Sequence, residues 1–256
     1  MFSDGMGRGI LAAAALLLSL CSCIKENRED CPCRLDLFFT GEHLPCVISL
    51  QSGEKTFVDT VRTAGTFSVS VPRGEVRLNA CSGAGDAFDP RRGLIIPEGK
   101  ECPPVYMCSR SISANAEIVR DTVRLHKNHC RITLKIKTED GKPIKGYNLA
   151  LRGGVCGYDL KGSPLRGPFS YVAKASADSD YACTVPRQVD DSIVLEISDE
   201  PDVLRKFAVG EFIAESGFDW TLEDLEDIVL EIDYSRTGVT FRISGWTRTI
   251  KMDVVI

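Results

Sequence analysis

Aromatic residues make up only 7% of this 256-residue chain, histidine occurs three times, and a single long apolar run stands near the N-terminus. Each scarcity excludes something. A bilayer-spanning helix needs about 18 or more apolar residues, and no stretch beyond residue 20 approaches that length. Three histidines leave little for imidazole acid–base or metal chemistry. No GxSxG elbow, HExxH helix, P-loop or strand-following GxGxxG occurs, so the common hydrolase, zincin and nucleotide-binding frameworks are missing. Gly83-Ala84-Gly85-Asp86 is glycine-rich, but no helical pattern follows to supply a phosphate-binding N-terminus, and the segment reads as a turn. The acid pairs Asp190/Asp191, Glu223/Asp224 and Glu226/Asp227 lie in polar runs and read as solvated charge. Lys and Arg total 31 against 36 Asp and Glu, a net charge of −5 that disfavours a nucleic-acid partner. The expectation is a protein that is not an enzyme, with no cofactor, no metal and no small-molecule substrate.

What is present begins with Gly9 to Leu20, an unbroken apolar run preceded by Arg8 and followed by small residues and cysteine. This is the layout of a secretory signal. Bacterial lipoprotein signals carry Leu at −3 and a small residue at −1 before the lipidated Cys. Cys23 fits, with Leu20 at −3 and Ser22 at −1; Cys21 would place bulky Leu20 at −1. The expected consequence is a chain anchored to a membrane through lipid on Cys23, not one that spans it. Residues 24 to 30 are charged and apolar-poor, which suits a tether. The Lys25-Glu26 pair resembles the signal that sends lipoproteins to the cell surface in Bacteroidetes-type bacteria.

Setting aside Cys21 and Cys23 leaves nine cysteines: 31, 33, 46, 81, 102, 108, 130, 156 and 183. In an oxidising compartment this favours disulfides, with at least one thiol left over and the connectivity open. Cys31-x-Cys33 and His126-x-x-His129-Cys130 offer soft metal ligands, but structural zinc sites usually show paired two-residue spacers, and a polar turn between two strands accounts for the histidines.

Along the rest of the chain the dominant signal has period two. Leu35, Leu37 and Phe39 alternate with Arg34, Asp36 and Phe38; Phe67, Val69 and Val71 with Ser68 and Ser70. Val76-Leu78-Ala80, Ile132-Leu134-Ile136, Ile193-Leu195-Ile197, Ile228-Leu230-Ile232, Val239-Phe241-Ile243 and Ile250-Met252-Val254-Ile256 repeat the theme. Short strands spaced by turns predict an all-β fold of antiparallel sandwiches, each of about 100 residues. The predicted division is a signal at 1–22, a tether at 23–32, an N-terminal sandwich at 33–127 and a C-terminal sandwich at 128–256. Gly210 to Gly217 reads as a short helix with Gly217 at its C′ position, and residues 221–226 as a second helical turn, so the C-terminal domain should hold one or two short helices.

Three segments carry a resemblance: Cys23-Ile-Lys-Glu-Asn-Arg-Glu-Asp-Cys31-Pro-Cys-Arg-Leu, Ser113 to Leu125, and Gly210 to Trp220 with Leu225 to Tyr234. Together they resemble the FimB-like fimbrial anchor subunits of Bacteroidetes, lipoproteins at the base of type V pili. The resemblance implies two tandem transthyretin-like sandwiches, an outer-membrane location at the fimbrium base, and a fimbrial shaft subunit as partner. It also implies assembly by strand complementation, in which a neighbour's strand fills an open groove through ladder hydrogen bonds. An anchor should keep its own first strand, so a disulfide from Cys31, Cys33 or Cys46 is expected to lock that strand, contributing about 2 to 4 kcal/mol. Arg28 and Arg34 bracket the strand's start, and no long arginine-ended propeptide separates Cys23 from it. The closing strand carrying Ile250, Met252, Val254 and Ile256 is the candidate donor to the last shaft subunit, or else stays in its own sheet. The alternative function is a surface lipoprotein adhesin that binds glycan or host protein through residues 82–110, where Phe88 and Tyr106 are the candidate aromatics.

Overall fold

The computed structural model describes residues 31–137, 148–175, 180–200, 203–234, 238–243 and 246–251. The predicted alternation is realised in the first strand, β1 (Cys33–Phe39), where Cys33, Leu35, Leu37 and Phe39 are buried and Arg34 and Phe38 are exposed. Strands β2 (Cys46–Ser52), β3 (Lys55–Val61), β4 (Gly65–Val71) and β5 (Glu75–Ser82) follow through tight turns. A crossover carries a short 3-10 turn, β6 (Phe88–Asp89) and β7 (Gly93–Ile95); then come β8 (Tyr106–Ser113), β9 (Ile118–Val123) and β10 (His126–Lys127). Two sheets result, ordered β4-β1-β9 and β10-β8-β5-β2-β3. Their inner faces share one core, with Leu35, Leu37 and Phe39 on one side and Ile48, Leu50, Val76 and Leu78 on the other.

The second half contains β11 (His129–Lys137), β12 (Asn148–Tyr158), β13 (Pro164–Val172), β14 (Lys174–Ala175), β15 (Tyr181–Pro186), β16 (Val194–Glu200) and β17 (Val203–Phe207). Helix α1 (Val209–Glu215), β18 (Ile228–Tyr234), β19 (Gly238–Ile243) and β20 (Trp246–Lys251) complete it. The sheets are ordered β14-β15-β11-β18-β19-β20 and β17-β16-β12-β7-β6, with β13 paired to β12. The fold is therefore all-β, as the period-two pattern predicts. Helix α1 lies where Gly210 to Gly217 placed it, buries Phe212 and Ile213, and ends with Gly217 at φ +86°. Residues 221–224 form a turn and bends, and 225–226 are irregular, instead of a second helix, with Asp219 Oδ1 accepting from the Thr221 amide and hydroxyl.

One element does not respect sequence order. Strands β6 and β7 arise within the first half, yet they pair with β12 and extend the second sandwich. Leu94, Ile96, Cys102, Val105 and Met107 are buried in the second core. The crossover runs on as a strap: Ile96 donates to the Cys156 carbonyl (2.8 Å), Gly99 to Ser170 (2.9 Å) and Cys102 to Thr184 (3.1 Å). Two glycines allow this close approach. A Cβ on Gly157 would stand 2.0 Å from the Leu94 carbonyl oxygen, and one on Gly93, at φ +100°, 2.2 Å from that of Tyr158.

Only Asn128 separates β10 from β11, and the junction is pinned rather than loose. The Lys127 amide donates to Asp224 Oδ1 (2.7 Å), its ammonium to Asp227 Oδ1 (2.6 Å), and the Leu225 amide to the Lys127 carbonyl (3.0 Å). Arg187 donates to the carbonyls of Trp220, Leu222 (2.6 Å) and Glu223 (3.1 Å) and to Asn128 Oδ1 (3.2 Å). Tyr158 donates its hydroxyl to the Asn128 carbonyl and accepts from the Arg187 amide (2.7 Å), and burial drives its phenol pKa upward.

Candidate functional site

The strands at the two ends of the fold are the predicted functional elements. β1 is the central strand of its three-stranded sheet: it runs antiparallel to β4 from Cys33↔Val71 to Phe39↔Gly65 and parallel to β9 from Arg34↔Ile118 to Phe39↔Val123. Both of its hydrogen-bonding edges are thus occupied, and releasing it would break two ladders and expose four buried apolar side chains. Each such side chain contributes about 1.5 to 3 kcal/mol by burial.

Asp36 adds a polar clasp on the outer face of that sheet. The carboxylate is only 5% exposed and accepts from Arg34 Nε (2.9 Å, Oδ1), Arg34 Nη2 (2.9 Å, Oδ2) and the Ser68 hydroxyl of β4 (2.7 Å). Arg120 Nε of β9 lies 3.9 Å from Oδ2. The three strands therefore meet at one buried anion, and the Arg34 and Ser68 hydrogen bonds lower its pKa to about 2.

Cys31, Cys33 and Cys46 are not brought together, but the expected lock runs from this group to the sandwich body, and there Cys46 lies beside Cys81 and Cys108, Val47 pairing with Cys81 and Ala80 with Cys108. Cys33 opens β1 opposite Val71, whereas Cys46 pairs with Val61, at the end where Phe39 faces Gly65. Six residues of strand, about 20 Å, separate those ends, while a disulfide needs Cα atoms within about 7 Å. All nine described cysteines are unpaired, and most are buried. Burial raises the Cys46 thiol to about 11 and those of Cys81 and Cys130 to about 12, which disfavours their thiolate forms. Cys23 lies outside the described residues.

At the other end, β20 pairs with β19 from Gly238↔Lys251 to Ile243↔Trp246 and closes the order of its sheet. Ile250 sits opposite Val239; Met252, Val254 and Ile256 lie outside the described residues. β20 is hydrogen-bonded on one edge among the described residues.

The predicted aromatics of residues 82–110 are used in packing. Phe88 packs against the second core, and Tyr106 stacks on His43 (3.5 Å between centroids) and meets His129 edge-on (5.2 Å). His129 is buried with Nδ1 3.0 Å from the Val105 carbonyl, and burial lowers its pKa. Neither the Asp36 clasp nor the strap was identified from sequence. The one available signal for the clasp was an acid flanked at i−2 by arginine on the outward face of a predicted strand.

No family model and no curated protein matches the chain in sequence. Solved structures do match in shape. A candidate polysaccharide-binding protein from Bacteroides thetaiotaomicron aligns with TM-score 0.65 at 12% identity, covering 86% of this chain and 98% of that one. A candidate adhesin from Bacteroides ovatus gives 0.64 at 12% identity, covering 86% and 95%. The fimbrial anchor protein Mfa2 from Porphyromonas gingivalis gives 0.59 at 12% identity, covering 85% and 99%. The chain has their fold. At such identity the likeness fixes the architecture of the whole chain and leaves the role to be argued from its own strands.

Proposed function

We propose that this protein is an outer-membrane lipoprotein, attached through Cys23, that anchors a fimbrial shaft to the cell surface and limits its length. The observation that carries this reading is the contrast, among the described residues, between a first strand paired on both edges and a last strand paired on one. A shaft subunit must open a groove by losing its first strand; a terminal subunit must not, because an open groove invites further addition. β1, sealed by two ladders and the Asp36 clasp, suits the terminal role. β20, with the alternating residues Ile250, Met252, Val254 and Ile256, is the segment offered to the groove of the last shaft subunit. The shared fold with the Mfa2 anchor supports the reading, as do the lipoprotein-type signal and tether. The role is structural, not enzymatic. The strap and the pinned junction suit a part held under tension, since they oppose separation of the sandwiches.

The adhesin alternative draws support from the adhesin neighbours, but its loop aromatics are engaged, Phe88 half-buried against the second core and Tyr106 half-buried and stacked on His43. Deleting the gene in its own host and imaging surface fibres and culture supernatant by electron microscopy tests the anchor. Long, shed fibres are expected; fibres of unchanged length and attachment would overturn it.

A further inference from the structure

The outer face of the β4-β1-β9 sheet, which carries the Asp36 clasp, is also shaped. A depression of about 550 Å³ opens there, lined by Arg34, Asp36, Phe38 and Thr66, Ser68 and Arg120. That volume falls within the range of small-ligand sites, about 300 to 1,000 Å³. The registers arrange the face as three rows: Ser70-Arg34-Ile118, Ser68-Asp36-Arg120 and Thr66-Phe38-Thr122. With strands about 4.8 Å apart and alternate residues about 6.7 Å apart, the rows cover about 10 by 13 Å, the footprint of a disaccharide.

The chemistry of the rows is specific. Phe38 is 47% exposed in the lowest row, presenting an aromatic surface to solvent from a sheet centre. Arg34 and Arg120 are 57% and 76% exposed, and the buried Asp36 carboxylate holds the Arg34 guanidinium in place through a two-point contact with Nε and Nη2. The remaining acid of the lining, Asp121, is ion-paired with Arg110 at 2.9 Å and does not offset the arginines. Two arginines against one buried carboxylate give this patch a positive balance on a protein whose net charge is −5. Hydroxyls of Thr66, Ser68 and Thr122 flank it. The cleft at the junction of the sandwiches is also basic, but its Arg187 is consumed by backbone carbonyls.

We propose that this face is a binding site for an anionic saccharide, with Arg34 and Arg120 receiving a sugar carboxylate or sulfate and Phe38 stacking on the C–H face of the adjoining ring. Planar guanidinium groups match such oxyanions in two-point contacts, and an aromatic side chain supplies flat apolar area at little entropic cost. Arg34, Asp36 and Phe38 all belong to β1, so the site exists only in a subunit that keeps its first strand. In that respect the inference rests on the anchor reading; its test needs no shaft.

Isothermal titration calorimetry on the full protein compares digalacturonic acid, a sulfated galactose disaccharide, neutral digalactose and hexaglutamate. Binding of one or both anionic sugars with at least about tenfold preference over neutral digalactose is expected, the first two arms telling carboxylate from sulfate. Arg120→Ala, at an exposed side chain, should weaken the preferred sugar by about tenfold or more, and Phe38→Ala by about three- to tenfold. Circular dichroism confirms that both variants fold. Three results would each overturn the proposal: no anionic sugar binds, neutral digalactose binds equally, or neither variant changes affinity. Tighter binding of hexaglutamate than of either sugar would also overturn it, assigning the face to an acidic polypeptide. Failure here leaves shed fibres in the gene deletion untouched, so the two readings fail separately.

Discussion

β1 and β20 are of similar length and both alternate in sequence, but the fold treats them oppositely. β1 lies between two partners, buries Cys33, Leu35, Leu37 and Phe39, and carries a carboxylate that ties it to both neighbours. Among the described residues β20 ends its sheet on a single ladder. An edge strand presents unpaired amides and carbonyls, which natural proteins normally cover or blunt; one left available is suited to intermolecular pairing. The difference teaches that position in a sheet, rather than hydrophobicity, decides which strand can be exchanged.

The comparison can be broken from either side. The largest effect is expected where the strap meets the second sandwich: Gly157→Val drives a side chain into the Leu94 carbonyl and should leave too little folded protein for a cooperative melt by circular dichroism. Leu37→Ala in β1 should cost about 2 to 5 kcal/mol in urea unfolding, whereas Thr247→Ala, at an exposed position of β20, should stay within about 0.5 kcal/mol. Asp36→Asn sharpens the comparison through pH. The folded carboxylate titrates near pH 2, below the ordinary range, so ionised Asp36 favours the folded state. Its contribution is complete above about pH 4 and is lost as pH falls through about 2. The melting temperature of Asp36→Asn should therefore decline less steeply between pH 4 and pH 2 than that of the wild type. Removal of residues 249–256 is expected to leave the melting temperature within a few degrees while abolishing shaft retention; a truncated protein that still holds the shaft would refute donation by β20.

Much of this was legible in advance because a half-buried strand writes its burial into every second residue. β1, β4, β5, β11, β18 and β19 follow that rule, and α1 follows the helical one with a glycine stop. β12 did not show, since Gly153, Gly154 and Gly157 interrupt its alternation and the register shifts between Gly153 and Val155 and again between Val155 and Gly157. The strap was hidden for another reason: β6 and β7 span two and three residues, too short for periodicity, and their partner is distant in sequence. The disulfide expectation rested on the cysteine count and the resemblance, neither of which gives a direction; only the strand order places Cys33 and Cys46 at opposite ends of the sandwich and sets Cys46 beside Cys81 and Cys108. Asp36 looked like an ordinary outward polar residue, as did Glu196, which is also buried on a central strand between Arg152 (2.8 Å) and Lys206 (3.0 Å). Both clasps depend on cations that only pairing brings alongside.

The most direct test is native-state hydrogen exchange read by mass spectrometry, following peptides 33–39 and 246–251 in the full protein alone and with the terminal shaft subunit. Amides of β1 should exchange only through global unfolding in both conditions, while those of β20 should exchange faster alone and become protected on addition of the subunit. Exchange of β1 through local opening, or protection of 33–39 instead of 246–251 on addition of the subunit, would contradict the account.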